Sequence, residues 1–144
     1  MPLPERDGRS ASTDVLHRLV GEQVSGVAAE VLVKVSHCGV CHSDLSLTNG
    51  TFPVTEPTVL GHEAAGTVEA VGLGVTDLAV GDKVVLSPIA ACNKCYWCVR
   101  GEYGCCVNTA SVTTGMLADG HTPLSRHGSP VLRGVGVGGF AESV

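Results

Sequence analysis

Over "EVLVKVSHCG" the chain places Val31, Val33 and Val35 on one face and Leu32 and Lys34 on the other, with β-branched residues dominating. This pattern predicts a strand. "VCHSDLSL" predicts a short helical turn after it, "AAGTVEAVG" a second strand, and "GDKVVLSP" a third that starts from a Gly-Asp turn. Residues 88–115 then form a cysteine-rich excursion, and residues 115–139, with many Gly, Pro, Ser and His, read as loop. "GGFAESV" reads as a closing strand cut short. Residues 1–23 are expected to be an irregular lead-in, polar at the start, and residues 24–144 one domain that carries the lobe at 88–115.

Composition sharpens the fold class. Nineteen glycines beside only two phenylalanines fit many tight turns between short strands, so an all-β or barrel-like domain is expected. With 44% hydrophobic and 16% charged residues, 144 positions suit one domain with one core. A net charge of −5 with scattered Lys and Arg argues against a nucleic-acid surface or an anionic-lipid surface, both of which need a basic patch. No stretch is apolar enough to span a membrane, and "MPLPERDGRSASTD" lacks the apolar core of a secretory signal. A cytoplasmic location follows as the expectation, and in that reducing compartment clustered cysteines are more often metal ligands than disulfides.

"CNKCYWCVRGEYGCC", residues 92–106, holds five cysteines. Cys92, Cys95 and Cys98 repeat at CxxCxxC spacing and Cys106 closes the stretch, so four thiolates can surround one zinc as in closed structural sites. Lys94 and Arg100 can partly offset the charge of such a centre, and Cys105 is spare. Free buried thiols, a disulfide, a zinc ribbon and a thiol-redox site are alternatives that the spacing and the missing basic face favour less. Tyr96 and Trp97, between the ligands, are expected to pack over the lobe or to form an interface patch.

A second constellation lies upstream, in "CGVCHSD" and the later "GHE". Cys41 offers a thiolate and His62 an imidazole, with the carboxylates of Asp44 and Glu63 placed to stand behind them. Either residue alone would be a weak signal, because a lone Cys is usually a small core residue and a lone His is usually just hydrogen-bonded.

Five stretches in order, "CGVCHSD", "GHEAAGTVEAVGLGV", "VGDKVVLSP", "CNKCYWC" with Cys106, and "GGFAE", resemble the N-terminal, GroES-like catalytic domain of zinc-dependent medium-chain alcohol dehydrogenases. The resemblance implies a GroES-like partly open barrel with a protruding zinc lobe. It implies that Cys41 and His62 are catalytic-zinc ligands, with Glu63 and Asp44 directly at or behind the metal, and that Cys92, Cys95, Cys98 and Cys106 hold a structural zinc. Ser43 would pass the proton of the substrate alcohol outward, and His42 would touch the cofactor pyrophosphate. The implied reaction interconverts a small alcohol and an aldehyde or ketone with NAD or NADP.

The chain also departs from that pattern. It has no GxGxxG after a strand, and "GVGVGG" at 134–139 is expected to be a glycine-rich loop with no helix behind it. The resemblance places a third zinc ligand beyond Val144 and implies a Rossmann domain this stretch does not include, so the chain is expected to be a fragment, inactive by itself. Cys38 and His37 are tempting substitutes, yet successive strand side chains point to opposite faces. Ser46 stands where many relatives place a histidine of the proton relay. The family's opening strand is not recognisable before residue 24, which predicts an exposed sheet edge open to a protein partner or to self-association. His17, His121 and His127 read as surface histidines. The alternative to the enzyme reading is a non-enzymatic zinc-binding β-domain or interaction module.

Overall fold

The computed structural model describes residues 30–54, 57–117 and 119–144. The lead-in at 1–23, the question of an opening strand and His17 lie outside the described residues. The order of elements is β1 (Val31–Gly39), α1 (His42–Thr48), β2 (Thr58–Val59), β3 (Glu63–Val71), β4 (Lys83–Val85), α2 (Ala110–Thr114), β5 (Leu124–Arg126) and β6 (Ser129–Arg133). They form two three-stranded sheets, β1-β3-β4 and β2-β6-β5, neither closed on itself. This is the mainly β, partly open architecture that the family resemblance implies.

β1 and β3 pair antiparallel from Val31↔Val71 to Gly39↔Glu63, with irregularities between Leu32 and Val33 and between Val35 and His37. Val33, Ala64 and Val68 turn their small side chains inward, and Val68 is only 1% exposed. Such residues bury apolar area at little rotamer cost. Gly66 is dictated by closeness rather than by a turn: a Cβ there would lie 2.2 Å from the Lys34 carbonyl oxygen on the paired strand. Val59, Leu124 and Val131 of the second sheet form a core cluster with Ala141, and Phe140 and Val144 pack against it.

The stretch 115–139, read as loop, contains the β5–β6 hairpin. Its two turn residues, His127 (φ 52°) and Gly128 (φ 80°), are both left-handed, the geometry that matches strand twist in a two-residue hairpin. The flanking strands are too short, and Pro130 too strand-averse, for the alternation to be visible. β2, two residues long, was equally hidden. "GGFAESV" forms no full strand, but its end runs along β1: the Val33 amide donates to Val144 O (2.6 Å), Val144 N to Val33 O (2.9 Å), and Val35 N to Glu142 O (2.9 Å). The outer edge of β1 is therefore partly covered at these positions.

Candidate metal centres

α1 begins at Cys41 because Cys41 is its N-cap. The residue is extended (φ −121°, ψ 177°), its sulfur accepts a hydrogen bond from Ser43 N (3.3 Å), and its own amide donates to Asp44 Oδ2 (3.1 Å). This is a capping box with a thiol in the Ser/Thr position. The other oxygen of Asp44 accepts from Gly61 N (2.8 Å), the residue before His62. One carboxylate, 3% exposed, thus holds the starts of two segments together.

The result is that Cys41 Sγ lies 3.0 Å from His62 Nε2, and these two with Asp44 form a cluster able to hold a metal ion. For zinc bonded to sulfur at 2.3 Å and nitrogen near 2.0 Å in a tetrahedron, the sulfur–nitrogen edge is about 3.6 Å, so the pair opens by roughly half an ångström to admit the ion. His62, 7% exposed, leaves Nδ1 buried without a hydrogen bond; Asp44 Oδ1 stands 3.5 Å from it, a charge contact and no more. A ring ligating through Nε2 carries its proton on Nδ1, so the orphaned atom and the facing carboxylate suit a metal-binding histidine. Both oxygens of Asp44 already accept amide protons, which makes it an orienting group.

The other expected residues fall as follows. Glu63 is exposed, with its carboxylate packed over Gly39, and it stands outside the cluster. His42 is exposed, with Nδ1 3.4 Å from Ser46 Oγ, and Ser46 is buried. Ser43 lines a cavity of about 520 Å³, together with Leu47, Phe52, Val54, Leu132 and Val135. Cys38 and His37 are not in the cluster; Cys38 Sγ sits in a notch of two glycines, 2.9 Å from where a Cβ on Gly61 would be and 3.0 Å from one on Gly139. Burial pushes its thiol pKa up.

Gly139 N donates to Gly61 O (2.6 Å) and Phe140 N to Leu60 O (2.9 Å), so the glycine-rich loop clamps the peptide preceding His62. The loop opens with a single 3-10 turn at Gly134–Gly136, and among the described residues no further helix is found after it. Sequence reasoning missed this clamp. The only signal was the run of glycines itself.

In the lobe, Cys92, Cys95, Cys98 and Cys106 come together, with all four sulfurs within 4.8 Å of one another. The Cys92–Cys98 sulfur separation is 4.0 Å; a tetrahedral zinc site with 2.3 Å bonds needs roughly 3.8 Å. The residues fit the ion. Asn93 adopts a left-handed φ of 56°, which Asn tolerates better than most residues, and so turns the CxxC knuckle. Amides of Cys92 and Asn108 both donate to Cys106 Sγ at 3.3 Å. These amides lower its pKa, and those of Cys98 and Val107 bring Cys95 down to about 6. Burial first, then the neighbouring thiols, pushes Cys98 up to about 12. Cys105 points to solvent.

Arg100 lies over the Tyr96 ring, 5.2 Å from its centroid, and contacts Glu102 at 3.5 Å. Tyr96 and Trp97 meet edge to face at 5.1 Å, with Tyr96 64% exposed. His121 and His127 are exposed, and His121 pairs with Asp119. No helix among the described residues is long and apolar enough to cross a membrane.

Comparison with known proteins places this geometry. The family described as Alcohol dehydrogenase GroES-like domain matches residues 27–144. The chain is 41% identical over 115 residues to S-(hydroxymethyl)glutathione dehydrogenase of Escherichia coli, covering 78% of this chain and 31% of that one. Among solved structures, an alcohol dehydrogenase zinc-binding domain protein from Burkholderia ambifaria matches with a TM-score of 0.74 and 41% identity, over 81% of this chain and 32% of that one. Benzyl alcohol dehydrogenase from Acinetobacter calcoaceticus matches with a TM-score of 0.68 and 38% identity, over 78% of this chain and 30% of that one. The chain thus spans about a third of the length of these relatives. With its match across residues 27–144, the chain belongs to the alcohol dehydrogenase GroES-like domain family.

Proposed function

We propose that this chain is the metal-binding domain of a zinc-dependent alcohol dehydrogenase, residues 24–144 forming that domain, with NAD or NADP as hydride acceptor. The observation that carries the reading is the Cys41–His62 pair at 3.0 Å with a buried Asp44 behind it. Zinc bound there supplies Lewis-acid polarisation of an alcohol oxygen, lowering its pKa towards neutrality. Cys41 and His62 would hold the ion, and the Asp44 carboxylate, with Oδ1 3.5 Å from His62 Nδ1, favours by its charge the tautomer protonated there. Ser43, on the cavity wall one turn-start from Cys41, takes the alcohol proton at Oγ. His42 and Ser46, 3.4 Å apart, are the polar groups next along α1. His42 is exposed and suits a cofactor phosphate. The four lobe cysteines hold a second, structural zinc with no open position, so it takes no part in the reaction.

The test is a chimera in which residues 27–144 replace the matching region of the Acinetobacter benzyl alcohol dehydrogenase. The expected result is alcohol-dependent reduction of the nicotinamide that disappears in C41S. A folded, zinc-loaded chimera that binds cofactor but does not turn over would contradict the proposal and favour the non-enzymatic reading.

A further inference from the structure

The cavity beside Ser43 lies on the face of the second sheet turned away from the core cluster. β2 and β6 pair in parallel, Thr58 against Leu132 and Val59 against Arg133. Side chains alternate along a strand, so Thr58 and Leu132 face the cavity, whereas Val59, Val131 and Arg133 face the core. The guanidinium of Arg133, whose Nε is buried without a hydrogen-bond partner, therefore belongs to the other side of the sheet. Among the described residues, the side chains left to wall the cavity carry a hydroxyl or no polar group at all, and none is charged.

Ser43 and Leu47 stand four residues apart on α1 and share one face of it. Ser43 N donates to Cys41 Sγ (3.3 Å), so this face starts beside the metal centre and turns apolar about 6 Å further along the helix. α2 is pressed against β6 at Gly115, where a Cβ would stand 2.9 Å from Leu132 Cβ, and this contact brings Val112 into the lining. Phe52 and Val54 line the cavity too and remain half exposed, apolar surface that a bound molecule would take out of water. The volume of about 520 Å³ lies in the range of sites for drug-sized ligands, far above what a two- or three-carbon alcohol fills. A charged group placed there would lose its hydration and find no counter-charge on these walls.

We propose that the cavity selects uncharged alcohols with a long apolar body, the hydroxyl at Ser43 and the body running along α1 over Leu47 and Leu132, and that Leu47 sets this preference. The role of the hydroxyl rests on the dehydrogenase reading, while the preference for length concerns the cavity walls alone.

The test is equilibrium binding of propan-1-ol, hexan-1-ol and 6-hydroxyhexanoate to the zinc-loaded chain, followed by NMR titration. Each buried methylene is worth about fourfold in affinity, so hexan-1-ol is expected to bind about tenfold to sixtyfold more tightly than propan-1-ol, and 6-hydroxyhexanoate more weakly than hexan-1-ol. L47A is expected to cut the affinity for hexan-1-ol about fivefold and leave propan-1-ol unchanged. L45A, on the exposed side of the same helix, is expected to change neither, which separates the cavity wall from a general effect on α1. Equal affinities for the two alcohols, a hydroxy acid that binds as tightly as hexan-1-ol, a length preference that survives in L47A, or no saturable binding of any of the three would overturn the proposal. In a benzyl alcohol dehydrogenase chimera carrying residues 27–144, turnover of propan-1-ol and hexan-1-ol at equal kcat/KM rejects this inference and leaves the dehydrogenase reading standing. Length-dependent binding in a chimera that turns over neither rejects the dehydrogenase reading and upholds the preference of the cavity.

Discussion

Cys41 and His62, separated by 21 residues, place Sγ and Nε2 within 3.0 Å of each other. Neither reaches the other through its own element: Cys41 caps α1 and His62 precedes β3, and the Asp44 carboxylate joins them by accepting from Cys41 N and Gly61 N.

That arrangement makes Asp44 the residue whose loss is felt at the metal. D44N keeps the shape but removes the charge facing Nδ1, and one of its two acceptor atoms becomes a donor. Affinity for cobalt(II) at Cys41 and His62 is expected to fall 10- to 100-fold, the usual effect of removing an orienting partner. Optical titration checks this, and an unchanged affinity would show that Asp44 serves only as a cap.

In the lobe the five cysteines are expected to divide four to one. C98S removes a buried ligand and abolishes tight metal binding at the lobe. C105S, at an exposed position, should change stability by no more than about 0.5 kcal/mol. Chelator competition combined with thermal melts separates the two; a C105S variant that loses metal would redraw the ligand set.

Metal binding at the lobe should also depend on pH in a defined direction. Zinc binds thiolates, so it must displace any proton the cysteines hold. Cys95, with a pKa of about 6, is already a thiolate above that pH, whereas Cys98, at about 12, gives up a proton throughout the neutral range. Lobe affinity is therefore expected to fall about tenfold per pH unit near neutrality from the Cys98 proton alone, and more steeply as pH drops through that of Cys95. Competition titrations at several pH values measure the slope; a flat profile would mean that the thiols are deprotonated before metal arrives.

Gly61 links fold and site. Its φ is +86°, and a Cβ would come within 2.6 Å of the Phe140 ring, 2.8 Å of Phe140 N and 2.9 Å of Cys38 Sγ. G61A is expected to cost about 3 kcal/mol through overpacking and left-handed strain. It should also weaken metal binding at Cys41 and His62, because the clamp between Asp44 and Gly139 has to move. Denaturant melts and cobalt titration together test this, and a variant of wild-type stability would mean the loop yields freely.

The strands β1 and β3, the turn of α1 and both cysteine groups were legible because each rests on local pattern: alternation of Val and polar residues, a Gly-Asp turn, repeated CxxC spacing. The Asp44 link was legible only as a carboxylate near a thiol. What could not be read either lacked a visible period or was produced by contacts distant in sequence. The β5–β6 hairpin has strands too short to show a period, and Glu63 looked equivalent to Asp44 until β3 turned it out over Gly39. The unpaired Nε of Arg133 likewise depends on what fails to approach it, which no local motif encodes.

The most direct test of the central claim is zinc content per chain, measured by elemental analysis after saturation and gel filtration, for the wild type and for C41S, H62A and the double variant C95S/C98S. The account predicts two zinc ions in the wild type, one of them lost in C41S and in H62A and the other lost in C95S/C98S. A single zinc that survives C41S and H62A unchanged, and disappears only with the lobe cysteines, would contradict the claim that Cys41 and His62 form a metal site.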